Sequence, residues 1–421
     1  MAGQKSRTRT RFNWRRCNDG SLDFYSFQLK QHFEIGVFIR SLECEKGFQS
    51  QAPPTVNFLT QICKVALFIL AGVSLSGCFP SHFKGKPYEG SYSGIRKRWN
   101  QTTNNAALRV IMVHGMSGFG AIEPGYGDDL ARSMAKKFGL SEESACVTNK
   151  LPSSIGVTNI LRVCNFTNES QDRLAVYELT WSSMTINKKA MQFAKDSQMN
   201  KNRLWANKKI KGLVDSGFGD AMIYLNPTYR TNLQEPILQT LIKVDGEATN
   251  ENDRIIFITH SLGSKMTLDT ILANTNNPAV TNLASKTADI IMLANQIPLL
   301  DLGIETNGLN DIPTNSLRKL VHFVGTQKGQ KPQRPFLEET RAPSLRVVAA
   351  TDPNDSLSFP LYPGTNTVNG TVVSTSNIYK YNAWNFLFVV EWPVSAHTDY
   401  FINDSLIKKL VEGFPKKGGK N

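Results

Sequence analysis

The 421-residue chain contains no stretch of the roughly 20 apolar residues that a bilayer-spanning helix requires, which excludes a polytopic membrane protein. Cysteine is scarce at six, there is no paired Cys-x-x-Cys and no His-Glu-x-x-His, and the six histidines are scattered, so no metal site is expected. Gly115, Gly118 and Gly120 cluster, but no Gly-Lys-Ser/Thr follows them, and a phosphate-binding loop is ruled out. No repeat with a period of roughly 20 to 50 residues is visible, which removes solenoids and propellers. Acidic residues are in deficit, 35 against 48 Lys and Arg, for a net charge of +13. The first 77 residues hold 10 basic and 5 acidic groups, leaving +8 spread over the rest. A dispersed excess is not the footprint of a nucleic-acid binder. What remains is ordinary: 40% hydrophobic, 20% charged, 30 Gly, 19 Pro and a mean hydropathy of -0.28, the profile of a globular protein.

The beginning of the chain reads as an address. Val65 to Ser76, VALFILAGVSLS, is an uncharged apolar run behind Lys64, and Gly77-Cys78 follows it. A positive charge, an apolar core and a small-residue site in that order are the parts of a secretory signal. Leu75-Ser76-Gly77-Cys78 resembles the lipobox of bacterial lipoproteins, which implies that Cys78 is acylated and becomes the first mature residue. Phe79 stands where an inner-membrane retention signal has Asp, so the resemblance implies an outer-membrane location in the cell envelope. A start at Val56 gives a signal of 22 residues, 56–77. Residues 1–55, with Arg7, Arg9, Arg11, Arg15 and Arg16, are then either an extension outside the natural start or a basic arm for an anionic partner. Residues 78–105, rich in Gly, Ser, Lys and Asn, suit a tether. Beyond Cys78 only Cys146 and Cys164 remain, either a disulfide in an oxidising compartment or two buried thiols.

From residue 106 to 421 the texture is that of one α/β domain. Ala107–His114 (ALRVIMVH) is a continuous apolar run, the signature of a strand covered on both faces. Leu174–Trp181, Arg254–Ser261, Ala288–Asn295, Leu345–Thr351 and Asn385–Val390 repeat it. Helical periodicity appears at Asp128–Phe138, Glu235–Lys243, Leu262–Ala273 and Ser405–Phe414. Alternation of this kind predicts a mostly parallel sheet with helices on both faces. Two stretches, 186–246 and 301–344, exceed ordinary crossovers and are expected as cap-like insertions at the C-terminal edge of the sheet.

Thr259-His260-Ser261-Leu262-Gly263 joins an apolar strand to a helix and resembles the nucleophile elbow of the α/β-hydrolase family, with Thr259 in place of the usual Gly. The alternative reading is a helix cap by Ser261. Val113-His114-Gly115-Met116 resembles the family's His-Gly loop, which implies Met116 and Leu262 as the backbone donors of an oxyanion hole. A serine nucleophile needs an imidazole base and a carboxylate to orient it. The family's chain order, Ser then Asp then His, implies His397 as base. It also implies Asp355 as the acid, since Leu357 follows two residues later, with Asp352 in reserve.

The segment Ile186–Asp220 interleaves Lys188, Lys189, Lys195, Lys201, Arg203, Lys208, Lys209 and Lys211 with Met191, Phe193, Leu204 and Trp205. It is either a lid touching an anionic lipid surface or the solvated face of packed helices. The resemblance implies a serine hydrolase acting on an acyl ester with no cofactor, and the lipid anchor, the basic stretch and the +8 charge favour an ester or lipid presented at an anionic membrane surface. A catalytically silent scaffold that binds a partner in the envelope is the alternative.

Overall fold

The computed structural model describes residues 90–99, 106–118, 120–204, 207–208, 211–212, 214–302, 315–330, 344–380, 385–386, 390–391 and 393–414. The chain divides into two units, Met1–Phe83 and Lys84–Asn421, and every described residue belongs to the second. Cys78, the signal-like run and residues 1–55 lie outside the described residues.

Among the described residues ten strands form one sheet: β1 (Ala107–Val113), β2 (Ser141–Glu142), β3 (Val147–Pro152), β4 (Thr158–Thr167), β5 (Arg173–Thr180), β6 (Arg254–His260), β7 (Thr287–Leu293), β8 (Ser344–Thr351), β9 (Gly364–Val368) and β10 (Thr371–Tyr379). Their order is β2-β4-β5-β1-β6-β7-β8-β10-β9, with β3 paired to β4. β5, β1, β6, β7, β8 and β10 are mutually parallel, and the strands at the two margins are antiparallel. Successive side chains of a strand point to opposite faces. Ile111 and Val113 of β1 therefore join the core under helices Pro227–Glu247, Leu262–Ala273, Pro278–Lys286 and Asn315–Gln330, while Leu108, Val110 and Met112 join the core under Asp128–Phe138 and Asp404–Glu412. The result is a mostly parallel mixed sheet between two helical layers.

Three expectations need correction. Asn385–Val390 is not a strand of this sheet: Asn385–Phe386 pairs antiparallel with Val390–Glu391 in a separate ribbon. The sheet's last parallel strand is β10, whose sequence TVVSTSNIY is half polar because it lies next to the edge strand. Secondly, the long stretches contain ordinary crossovers. Pro227–Glu247 packs on β5, and Asn315–Gln330 packs on Pro278–Lys286 and β10, burying Leu317, Leu320, Val321 and Val324. Thirdly, part of the stretch expected as a tether is packed structure. Within it, Gly94–Trp99 is a helix whose Ile95 is fully buried, and Arg98 reaches Asp289 of β7 at 3.0 Å. Asp289 also pairs with Arg346, and these two guanidinium groups hold its carboxyl below the usual range despite burial. Cys146 and Cys164 are joined by a disulfide, one rung beyond the Val147–Val163 pair of β3 and β4.

Candidate active site

β6 ends at His260 and the next helix begins at Leu262, so Ser261 alone makes the turn, at φ 52° and ψ -126°. An L-residue at positive φ in that region is strained and persists only where its surroundings over-determine it. Here its N–H donates to Leu293 O at 2.8 Å, at the end of β7. The loop after β1 packs directly on the turn. A Cβ at Gly115 would lie 2.5 Å from Ser261 Cβ, and one at Gly263 would overlap the His114 carbonyl. Glycine at these two positions is what allows the approach. Thr259 stays within β6, and its buried hydroxyl donates to Ser264 Oγ at 2.9 Å. The departure from Gly is therefore absorbed before the turn, not in it.

The Ser261 hydroxyl makes no capping bond to the helix. It lies 2.8 Å from His397 Nε2, and both side chains are buried. His397, in helix Pro393–Thr398, places Nδ1 2.9 and 3.0 Å from the two oxygens of Asp355. A carboxylate on Nδ1 holds the ring proton there and leaves Nε2 to accept from the serine. Asp355 sits in the turn after β8, and its Oδ1 also accepts from Leu357 N–H at 3.0 Å. Both carboxylate contacts to His397 Nδ1 come from Asp355, while Asp352 serves the turn. Its Oδ1 accepts from Asn354 N–H at 2.8 Å, a turn-starting bond.

Several residues at the site carry no local sequence signal. Tyr400 accepts from Asp352 N–H at 2.7 Å and donates to Asp355 Oδ2 at 3.2 Å. Gln296 brings its amide nitrogen 3.4 Å from His397 Nε2, just after Ala294, itself at φ 49°. His260 donates from Nε2 to the carbonyl of His397 at 2.7 Å. Burial, reinforced by neighbouring His397, pushes His260 down to about 3, so it is a neutral donor. His114 behaves alike: burial pushes it to about 3, its Nδ1 donates to Gly115 O at 2.7 Å and its Nε2 accepts from Trp181 N–H at 3.0 Å.

Of the expected oxyanion donors, Met116 follows Gly115, which packs on Ser261, and Leu262 follows Ser261 itself. Neither N–H donates to a partner among the described residues. Two N–H groups free beside a polarised hydroxyl can receive negative charge that develops there. Lys189 departs from its expected place on a solvated or lipid-facing surface, being buried against Asp220. Among the described residues no group of three or more His, Cys, Asp and Glu is placed to hold a metal ion.

No family model matches the chain, and none of the curated proteins does. Among solved structures it is similar to a metagenomic carboxyl esterase, MGS0156, at 12% identity over 72% of this chain and 76% of that chain, with a TM-score of 0.24. A likeness at that score carries no weight, and the site stands on its own geometry.

Proposed function

We propose that the protein is a serine hydrolase of the α/β-hydrolase fold that cleaves an acyl ester. The observation that carries this reading is the Ser261–His397–Asp355 chain of contacts, at 2.8 and 2.9 Å, built on a strand–turn–helix with a strained Ser261. Ser261 Oγ attacks the ester carbonyl carbon as His397 Nε2 takes its proton, and Asp355 stabilises the resulting imidazolium. The carbonyl oxygen becomes an oxyanion that receives hydrogen bonds from Met116 and Leu262 N–H. His397 returns the proton to the departing alcohol, leaving an acyl-serine. A water molecule, deprotonated by His397, attacks that ester, and collapse releases the carboxylic acid and restores the serine.

The expected envelope address extends the proposal. Cys78 carries a lipid, and the enzyme meets acyl esters at a membrane surface. Support comes from the segment between β5 and β6, where Met191, Met199, Leu204 and Met222 are at least half exposed beside exposed Lys188 and Lys208. Apolar and cationic groups together suit an anionic lipid surface.

A fluorophosphonate probe tests the chemistry. Labelling of the native protein and none of Ser261→Ala is expected; a folded native protein that takes no label is instead a silent scaffold. Intact mass of membrane-extracted material tests the anchor, which a chain retaining Ala71–Gly77 without added lipid mass overturns. Hydrolysis of one ester as monomer and in anionic vesicles, at low and high salt, tests the surface. Absence of any vesicle gain returns the substrate to soluble esters.

A further inference from the structure

The segment between β5 and β6 sends two charged side chains inward. Lys189, on helix Ser183–Ser197, and Asp220, in helix Gly219–Leu225, are both buried, with Nζ 2.9 Å from Oδ1. A buried ion pair is by itself weak evidence of stabilisation, because desolvating two charges offsets their attraction. What the pair holds is more informative. Lys189 Nζ donates to Ser117 O at 2.7 Å, Ser117 Oγ at 2.9 Å and Gly118 O at 2.8 Å. Asp220 Oδ2 accepts from Ser117 N–H at 2.7 Å and from its hydroxyl at 3.2 Å. Every polar group of Ser117 is thus taken by this pair.

Ser117 follows Met116, and the preceding peptide is fixed as well. The carbonyl of Gly115 accepts from the His114 ring, and in a planar trans peptide the N–H of the next residue points the opposite way. The His114 ring sets the plane that carries Met116 N–H, while Lys189 and Asp220 hold the plane after it. Contact of Gly115 with Ser261 fixes the distance to the serine. A donor free on one residue between two clamped peptides is pre-organised, which is what oxyanion stabilisation requires.

We infer that Lys189 and Asp220 are positioning residues that clamp Ser117 and Gly118 and thereby hold the Met116 N–H in place for the oxyanion, making turnover depend on the seating of the segment between β5 and β6. The inference rests on the serine hydrolase reading.

The test uses the full chain, a short-chain p-nitrophenyl ester and an alkylboronic acid that mimics the tetrahedral intermediate. Ser261→Ala sets the baseline. Lys189→Met with Asp220→Leu removes the clamp without stranding a charge, and Ser117→Ala keeps both charges while removing the hydroxyl contacts. Deleting an oxyanion donor costs about 100- to 1000-fold in kcat, and displacing one costs part of that. The expected result is kcat lower by about 10- to 100-fold in the double variant and about 3- to 10-fold in Ser117→Ala, scaled from that range. KM stays within about twofold, and boronate affinity falls in parallel with kcat. A purely structural pair lowers the melting temperature and leaves the boronate affinity untouched, and that outcome overturns the inference. Ser117→Ala decides the matter where the double variant does not fold. Ser261-dependent turnover of the native protein with unchanged kcat in both variants overturns the clamp alone, whereas no Ser261-dependent turnover at all overturns the hydrolase reading and the clamp with it.

Discussion

The Tyr400 hydroxyl donates to Asp355 Oδ2 at 3.2 Å, on the same carboxylate oxygen that lies 2.9 Å from His397 Nδ1. Tyr400 also accepts from Asp352 N–H at 2.7 Å, so one phenol ties the start of the turn after β8 to the carboxylate inside it. Burial raises the phenol well above its ordinary range, which keeps it a donor at any working pH.

Tyr400→Phe removes that bridge and keeps the ring. Each net hydrogen bond is worth about 1 kcal/mol, with a further cost for the buried N–H left unmet. We expect kcat to fall by about 3- to 10-fold, equivalent to about 1 kcal/mol, with KM unchanged and a lower melting temperature. Steady-state kinetics with calorimetry checks this, and an unchanged kcat removes Tyr400 from the positioning of Asp355.

The two aspartates of the turn should separate cleanly. Asp355→Asn leaves the shape but takes away the charge that orients His397 and stabilises its protonated form, a loss of about 10,000-fold in kcat where this arrangement operates. Asp352→Asn retains an acceptor for Asn354 N–H, and kcat within about fivefold of the native value is expected, since a net hydrogen bond is worth about 1 kcal/mol. A larger loss at Asp352 than at Asp355 would exchange their roles.

The legible and illegible parts of the chain divide on physical lines. β1, β5, β6, β7 and β8 are covered on both faces, so each is a near-continuous apolar run readable within one or two residues of its ends. β10 and β4 lie towards the margins of the sheet and carry Thr, Ser, Asn and Arg on their open positions. By apolar content both rank below NFLFVV, which lies outside this sheet. Of helix Pro227–Glu247 only Glu235–Lys243 is legible, because Pro227 and Pro236 weaken the helical signal of the first turns although the helix continues through Pro236. At the site, Ser261, Asp355 and His397 sit in motifs with chain order and spacing. Tyr400, Gln296, Lys189 and Asp220 act across tens to hundreds of residues, and no local pattern marks them. Lys189 is the sharpest case, since its neighbours Lys188 and Lys195 are exposed and only the fold turns it inward.

Glycine substitutions in the loop after β1 should grade with distance from Ser261. A Cβ at Gly115 meets Ser261 Cβ at 2.5 Å and His260 Nδ1 at 2.6 Å, while one at Gly118 meets nothing within 4 Å. Gly115→Ala must displace the loop or the elbow. A loss of more than about 100-fold in kcat is expected, the scale of a displaced oxyanion donor, together with a lower melting temperature. Gly118→Ala should leave both within the small range of surface substitutions, about 0.5 kcal/mol. Equal effects at the two positions would mean that the loop does not rest on the turn.

His260 links the site to acid stability. Its folded-state value of about 3 lies below the ordinary imidazole value of about 6.5, so below that pH the unfolded chain is the better proton binder. Stability present at neutral pH is therefore lost as pH falls from about 6.5 towards about 3. His114 adds to the loss in the same window, whereas Glu178, raised by burial, acts in the opposite direction. Comparison with His260→Gln cancels those shared contributions. At pH 7 the variant is expected to melt below the native protein, having lost the ring that donates to His397 O and packs against Tyr400 and Phe401. By pH 4 the gap narrows, because only the native protein then carries the cost of keeping that imidazole uncharged. Thermal melts at half-unit steps from pH 7 to pH 4 measure it, and a gap that stays constant with pH shows that His260 is not held neutral by the fold.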